Sequence, residues 1–194
     1  MIIKKLLAPL VNEKILSSAE HCYIATAAIS ESGFDFILKK LTRQCRVEIV
    51  TGLDLPSSPV VLRRILTELA DRVTLRVHIG NFFHPNAYAF DLPYRKRVAF
   101  IGSGNFTTGG LKDNEELAYQ IKSEKEVEEI KSWFRRYFDE SNELTEELVR
   151  EYEQIYALQQ ERLALSMREK SQMIDRIGSK IPLYRIIRND TSKG

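Results

Sequence analysis

Phe83-His-Pro-Asn-Ala-Tyr-Ala-Phe-Asp91 and, a few residues on, Phe100-Ile-Gly-Ser-Gly-Asn-Phe-Thr-Thr-Gly-Gly-Leu111 are the most informative stretches of this chain. Ala87 to Phe90 and Arg97 to Ile101 read as two short strands. The residues between them, Asp91-Leu-Pro-Tyr94, are of the kinds that turn a chain, so a β-hairpin is expected. Gly102 to Gly110 is then a Gly/Thr-rich loop, and Glu116 to Ile121 reads as one more strand.

Toward the N-terminus the chain alternates strand and helix. Cys22 to Ile29 is a buried strand ended by Ser30 and Glu31, and Phe34, Ile37, Leu38 and Leu41 fall at helical spacing. Arg46 to Val50 is a second strand, closed by Thr51 and Gly52. Ser58 as N-cap and Pro59 in the first turn start a helix whose apolar stripe is Val61, Leu62, Ile65, Leu66 and Leu69. Val73 to Val77 alternates as a half-buried strand does. Strand–helix alternation followed by a strand-rich half predicts an α/β fold with a mixed sheet covered on both faces.

Beyond Ser123 the pattern turns helical and charged. Ser123 and Glu126 have capping-box spacing ahead of the stripe Val127, Ile130, Trp133, Phe134, Tyr137 and Phe138. A second run reaches from Leu144 to about Ile177, with a thinner stripe of Leu148, Tyr152, Ile155, Tyr156, Leu163, Met167 and Ile174. As one helix it would span on the order of 50 Å. It therefore breaks in two, projects and is steadied by another chain, or bends around its own domain. The expected division is a domain of residues 1–141 and a helical extension and tail of residues 142–194.

Composition excludes classes without naming a function. The 194 residues are 43% hydrophobic and 29% charged, which is ordinary for a globular chain and rules against disorder. A net charge of +2 is too balanced to announce a polyanion binder, so any basic surface is local. Lys39, Lys40, Arg43, Arg46, Arg63 and Arg64 are its candidates, against the plainer reading of solvated helix-face charge. Cys22 and Cys45 have neither disulfide nor zinc-ligand spacing and read as buried thiols. No apolar run approaches the length of a membrane span, and the start lacks a cleavage signal, so a cytoplasmic protein without membrane partner, metal or cofactor is expected.

Taken together, Phe83-His-Pro-Asn-Ala-Tyr-Ala-Phe90, Ile101-Gly-Ser-Gly-Asn-Phe-Thr-Thr-Gly-Gly-Leu111 and Asn114-Glu-Glu116 resemble the phospholipase D superfamily. Its signature is His-x-Lys-x4-Asp followed by Gly-Ser-x-Asn. The look is that of its metal-independent endonuclease branch, the phospholipase-D-type restriction enzymes and related defence nucleases. The resemblance implies a phospholipase D-like α/β/α sandwich and a homodimer whose two-fold axis passes through one composite active site, because one chain has one motif and the chemistry needs two histidines. It also implies nucleic acid, DNA favoured, as substrate, with the C-terminal helix available to a partner domain or subunit.

The residue roles it implies are chemically coherent. His84 is the nucleophile: an imidazole attacks phosphorus and divides one difficult displacement into two easier ones. Glu116 orients an imidazole from its far nitrogen, and Asn105 donates to a nonbridging oxygen. Ser103, Gly104 and Thr107 approach the phosphate closely. Asp91 has the signature spacing but begins a turn and reads as structural. Asn86 stands where the family has lysine, so a neutral amide replaces a full positive charge. If His84 and Asn86 lie in a strand, two-residue spacing aims them to one face. An active metal-independent phosphodiesterase, a catalytically dead nucleic-acid-binding or scaffold protein, and a lipid phosphodiesterase are the readings left open, in that order.

Overall fold

The computed structural model describes residues 1–180. Its elements are β1 (Ile2–Ile3), α1 (Leu7–Asn12), α2 (Ile15–Ser18), β2 (His21–Thr26), α3 (Glu31–Lys40), β3 (Arg46–Thr51), α4 (Pro59–Glu68), β4 (Val73–Val77), β5 (Ala87–Asp91), β6 (Arg97–Gly102), a π-helical turn (Gly109–Asp113), β7 (Ala118–Ile121), α5 (Glu124–Glu140), β8 (Asn142–Glu143) and α6 (Glu146–Lys180). Contacts divide the chain into a unit of Met1–Tyr156 and a second beginning at Ala157.

In the first unit the strands form one mixed sheet in the order β1-β7-β6-β5-β2-β3-β4-β8. β2, β3 and β4 run parallel, as their long crossovers require, and the remaining pairs are antiparallel. Period-2 alternation sends Ile24, Ile49, Leu75, Tyr88 and Phe100 to one face, where they meet Leu16, Phe34, Leu62 and Tyr152 of the helices. Tyr23, Ala25, Val50, Ala89 and Ala99 face the other way, against Val127, Phe134 and Phe138 of α5. The small Ala side chains on that face let α5 lie close to the sheet. The three-layer α/β/α sandwich expected from the sequence is present.

Of the helices that pack on the sheet, α3 and α5 start with side-chain caps, whereas α1, α2 and α4 have none. The Ser30 and Ser123 hydroxyls accept from Gly33 N and Glu126 N at the heads of α3 and α5. Ser58 precedes α4 as expected, but its hydroxyl caps nothing and donates instead to Glu31 Oε1 at 3.1 Å. Pro59 at the first position lowers the need for a cap, since it has no N–H to satisfy. Early α6 belongs to the core: Tyr152 is 2% exposed and its hydroxyl accepts from Ser57 N at 2.9 Å. In the second unit, α6 carries the exposed apolar side chains Leu158, Leu163, Leu165, Met167 and Met173. Residues 181–194 of the expected extension lie outside the described residues. Both thiols are free and buried, and burial pushes the Cys45 thiol up to about 11.

Two ion pairs pin α5 across the sheet on either side of Tyr23. Lys131 donates to both oxygens of Asp91 at 2.7 and 2.8 Å, and Tyr23 donates to Asp91 Oδ2 at 3.0 Å. Arg135 forms a fork on Glu48 at 2.9 and 2.6 Å, with His21 Nε2 3.1 Å from the same carboxylate. Burial alone would raise the Glu48 carboxyl, but the bonds from His21 and Arg135 outweigh it and hold it at about 2.

A carboxyl depressed on folding contributes stability above its ordinary value near 4.5 and loses that contribution as pH falls toward about 2. Glu48→Gln should therefore lower unfolding free energy at neutral pH, on the order of 1–2 kcal/mol after allowance for the solvent-exposed Arg135. It should also flatten the acid limb. Denaturant titrations from pH 7 down to about pH 2.5 check both, and a variant with the wild-type slope refutes the assignment.

Candidate active site

Strand register brings the motif residues to one edge of the sheet. Ala25 pairs with Ala87 and Ala87 with Ile101, while Gly102 pairs with Ala118. The end of β2, the start of β5, the end of β6 and the start of β7 therefore lie side by side. Thr26, Asn86, Ser103 and Glu116 are the residues at those ends.

Thr26 is the hub. It is fully buried, accepts from Phe106 N at 2.9 Å and donates to Asn86 Oδ1 at 2.9 Å, with Ala28 O at 3.2 Å. Asn86 Nδ2 donates to Ser103 O at 3.2 Å. The Ser103 hydroxyl donates to Glu116 Oε2 and accepts from Leu117 N at 3.1 Å. Asn114 Nδ2 reaches Glu116 Oε1 at 3.2 Å, and Lys5 Nζ holds that loop by Asn114 O at 2.5 Å and Asp113 O at 3.2 Å. A single hydrogen-bonded chain thus runs Thr26–Asn86–Ser103–Glu116–Asn114.

The Gly-Ser-Gly-Asn loop is built on close backbone approach. A Cβ on Gly104 would strike the carbonyl of Gly110, and one on Gly110 would strike the backbone of Asn105. Tyr88 donates to Gly104 O at 2.8 Å from a buried position, and burial drives its hydroxyl pKa upward. Thr107 Oγ1 accepts from Gly110 N at 3.0 Å and so shapes the loop into the π-helical turn. Among the described residues Asn105 Oδ1 is buried without a donor.

The structure separates the two residues whose side chains the two-residue spacing would aim together. Neither is in a strand, because β5 begins at Ala87. His84 is exposed, and its ring stacks on the exposed Phe82 at 5.4 Å and 16°. Asn86 is 3% exposed, with both ends of its amide engaged. Pro85, which has no N–H for a ladder, keeps the segment out of the sheet and frees it from alternation. Among the described residues no hydrogen bond or ion pair joins Glu116 to His84; Glu116 is held by Ser103 and Asn114. Asp91 is structural, as its Lys131 and Tyr23 partners show. Two of the six basic candidates are neutralised, Arg63 by Glu146 and Glu153 and Arg64 by Asp35, while Lys39, Lys40, Arg43 and Arg46 have no ion pair among the described residues; on the hairpin, Arg97 pairs with Glu128. Thr26 and Lys5 escape the motif reading. Thr26 does leave a trace, as a polar residue inside an otherwise apolar strand.

Sheet order, helical layers and this edge define a phospholipase-D-like domain. The sequence matches, over residues 11–138, the family model described as cardiolipin synthase, PLD-like domain, and the chain belongs to that family. No curated protein matches it. Among solved structures it is similar to NucT from Helicobacter pylori, at 16% identity over 74% of this chain and 97% of that one, TM-score 0.51. Nuc from Salmonella typhimurium, a phospholipase D family member, matches at 17% identity over 69% of this chain and 88% of that one, TM-score 0.54. Polyphosphate kinase from Porphyromonas gingivalis matches at 10% identity over 70% of this chain and 21% of that one, TM-score 0.50. At such identities the likeness is one of fold, and names this different do not carry a substrate across.

Thr26→Val keeps the shape of the hub but leaves Phe106 N and Asn86 Oδ1 without their main partner. It should cost about 1–3 kcal/mol. Thermal melts of the full chain measure this, and an unchanged melting temperature would show that the edge does not hang on that hydroxyl.

Proposed function

We propose that this chain is a metal-independent phosphodiesterase that cuts nucleic acid, DNA in preference to RNA, through a phosphohistidine intermediate at a site shared by two copies. The observation that supports it best is the continuous chain Asn86–Ser103–Glu116, which knits the separate motif segments at one edge while leaving the His84 imidazole open to solvent. A nucleophile must be reachable; the residues that shape its surroundings must not move.

In this reading an imidazole nitrogen of His84 attacks phosphorus with its lone pair, and the bond to the leaving oxygen breaks. The histidine of the second copy gives that oxygen its proton. The same group then takes a proton from water, whose oxygen attacks phosphorus, breaks the P–N bond and frees His84. Asn105 donates its amide to a nonbridging oxygen, with Ser103, Gly104 and Thr107 forming the phosphate-facing loop. Glu116 has no hydrogen bond or ion pair to its own His84 among the described residues, so in this reading it orients the imidazole of the second copy. The setting consistent with the resemblance is cytoplasmic restriction or defence. Among the described residues no helix is long and apolar enough to cross a membrane.

The second reading, a binding or scaffold protein that no longer cuts, draws on a specific fact. Asn86 is buried and hydrogen-bonded to protein, so the lysine position carries no charge. Loss of one such electrostatic stabiliser costs ~10²–10³ in rate, and a dimer loses it twice. A lipid phosphodiesterase ranks third, and a liposome hydrolysis assay run beside plasmid nicking separates it.

Plasmid nicking should persist in excess EDTA, fall to background in His84→Ala, and rise about 10-fold or more in Asn86→Lys. Cutting that stops with chelator and returns with magnesium overturns the mechanism. Salt-dependent DNA binding with no cutting, even in Asn86→Lys, would establish the scaffold reading instead.

A further inference from the structure

A cavity of about 330 Å³ plays no part in the chemistry above. It lies at the carboxyl ends of the parallel strands β3 and β4, where Leu53, Asp54 and His78 follow the last strand residues. Leu148, Glu151 and Ile155 of early α6 form the opposite wall. Register puts this cavity on the edge that holds the motif residues, since Thr51 at the end of β3 pairs with Thr26 at the end of β2. Phe83 is the partition: its N–H donates to Asp54 Oδ2 at 3.2 Å, and its ring lies 5.1 Å from that of His78. The next residue is His84.

We propose that this cavity is a nucleobase subsite, taking an unpaired base with an exocyclic amine from a nucleotide next to the phosphodiester held at His84. This rests on the nucleic-acid reading above and adds the substrate class. Its volume falls in the ~300–1,000 Å³ range of small-ligand sites. The walls are mainly apolar, suited to the flat face of a base. The carboxylates of Asp54 and Glu151 only accept hydrogen bonds. They repel a phosphate, and the exocyclic amine of cytosine, adenine or guanine offers the pair of carboxylates two N–H donors where thymine has a single imino N–H. A base stacked in duplex cannot enter without being flipped out, at a cost of a few kcal/mol, so the subsite selects single strands.

The test is equilibrium binding of labelled oligo-dC, oligo-dT and a blunt duplex to the full chain carrying His84→Ala, which holds DNA without the nucleophile. Oligo-dC should bind more tightly than oligo-dT or duplex. Adding Ile155→Trp, at a half-exposed position on the mouth, should weaken oligo-dC about tenfold and leave duplex unchanged. Adding Glu151→Leu, which removes the acceptor, should bring oligo-dC down to the level of oligo-dT. Equal affinity for the three DNAs, or indifference to Ile155→Trp, overturns the subsite while leaving the nuclease reading standing. Failure to bind any of the DNAs at low salt overturns both.

Discussion

Phe106 N–H, the Thr26 hydroxyl and the Asn86 amide meet at the buried end of β2, and the arrangement of the candidate site depends on that meeting. Each belongs to a different stretch of chain. β2 is central in the sheet, β5 enters from the hairpin, and Phe106 sits in the loop after β6. A buried hydroxyl between two buried partners tolerates little displacement, because a donor or acceptor left unpaired away from water costs more than the bond is worth. The motif loop is therefore fixed from within the core. Its outer surface, with Ser103, Asn105 and Glu116, inherits that rigidity.

The same logic separates what the sequence discloses from what it hides. β2 through β7, α3, α4 and α5 are all legible, because each has a run long enough for period 2 or 3.6 to show. β1 and β8 are two residues each, too short for any period, and exist only because β7 and β4 present open edges to them. The motif names its residues but not their directions. Alternation in a strand would aim His84 and Asn86 alike, yet Pro85 delays the strand until Ala87, and one side chain faces solvent while the other is buried. Ion pairs are equally hidden: Arg63 and Arg64 look like a basic face until Glu153 and Asp35 arrive from elsewhere in the fold. Those pairings depend on tertiary distance, which a one-dimensional pattern does not contain.

Asn86 shows why a lysine-to-asparagine difference is more than a lost charge. Its carbonyl oxygen accepts from Thr26 and, at 3.4 Å, from Ala27 N, and an ammonium group can accept from neither. Asparagine at this place satisfies buried donors and strengthens the edge. Lysine would free the Thr26 hydroxyl to turn toward Ala28 O, already 3.2 Å away, and bring an unpaired cation into a nearly closed position. A cation held there is comfortable only when an anion is near, and a substrate phosphate is such an anion. Stability of the empty site and electrostatic power in the filled one thus pull this position in opposite directions.

That opposition bears on the groups around Asn86 at the same rim. Among the described residues Asn105 Oδ1 has no donor, Glu116 is held by Ser103 and Asn114 rather than by an imidazole, and the His84 ring stacks on the exposed Phe82. These are separate features on different segments, and no rotation of one side chain changes them all; they share a location at one rim of the sheet. The rim is thus organised firmly from beneath by Thr26 and Asn86, while the His84 ring above it stays open to solvent.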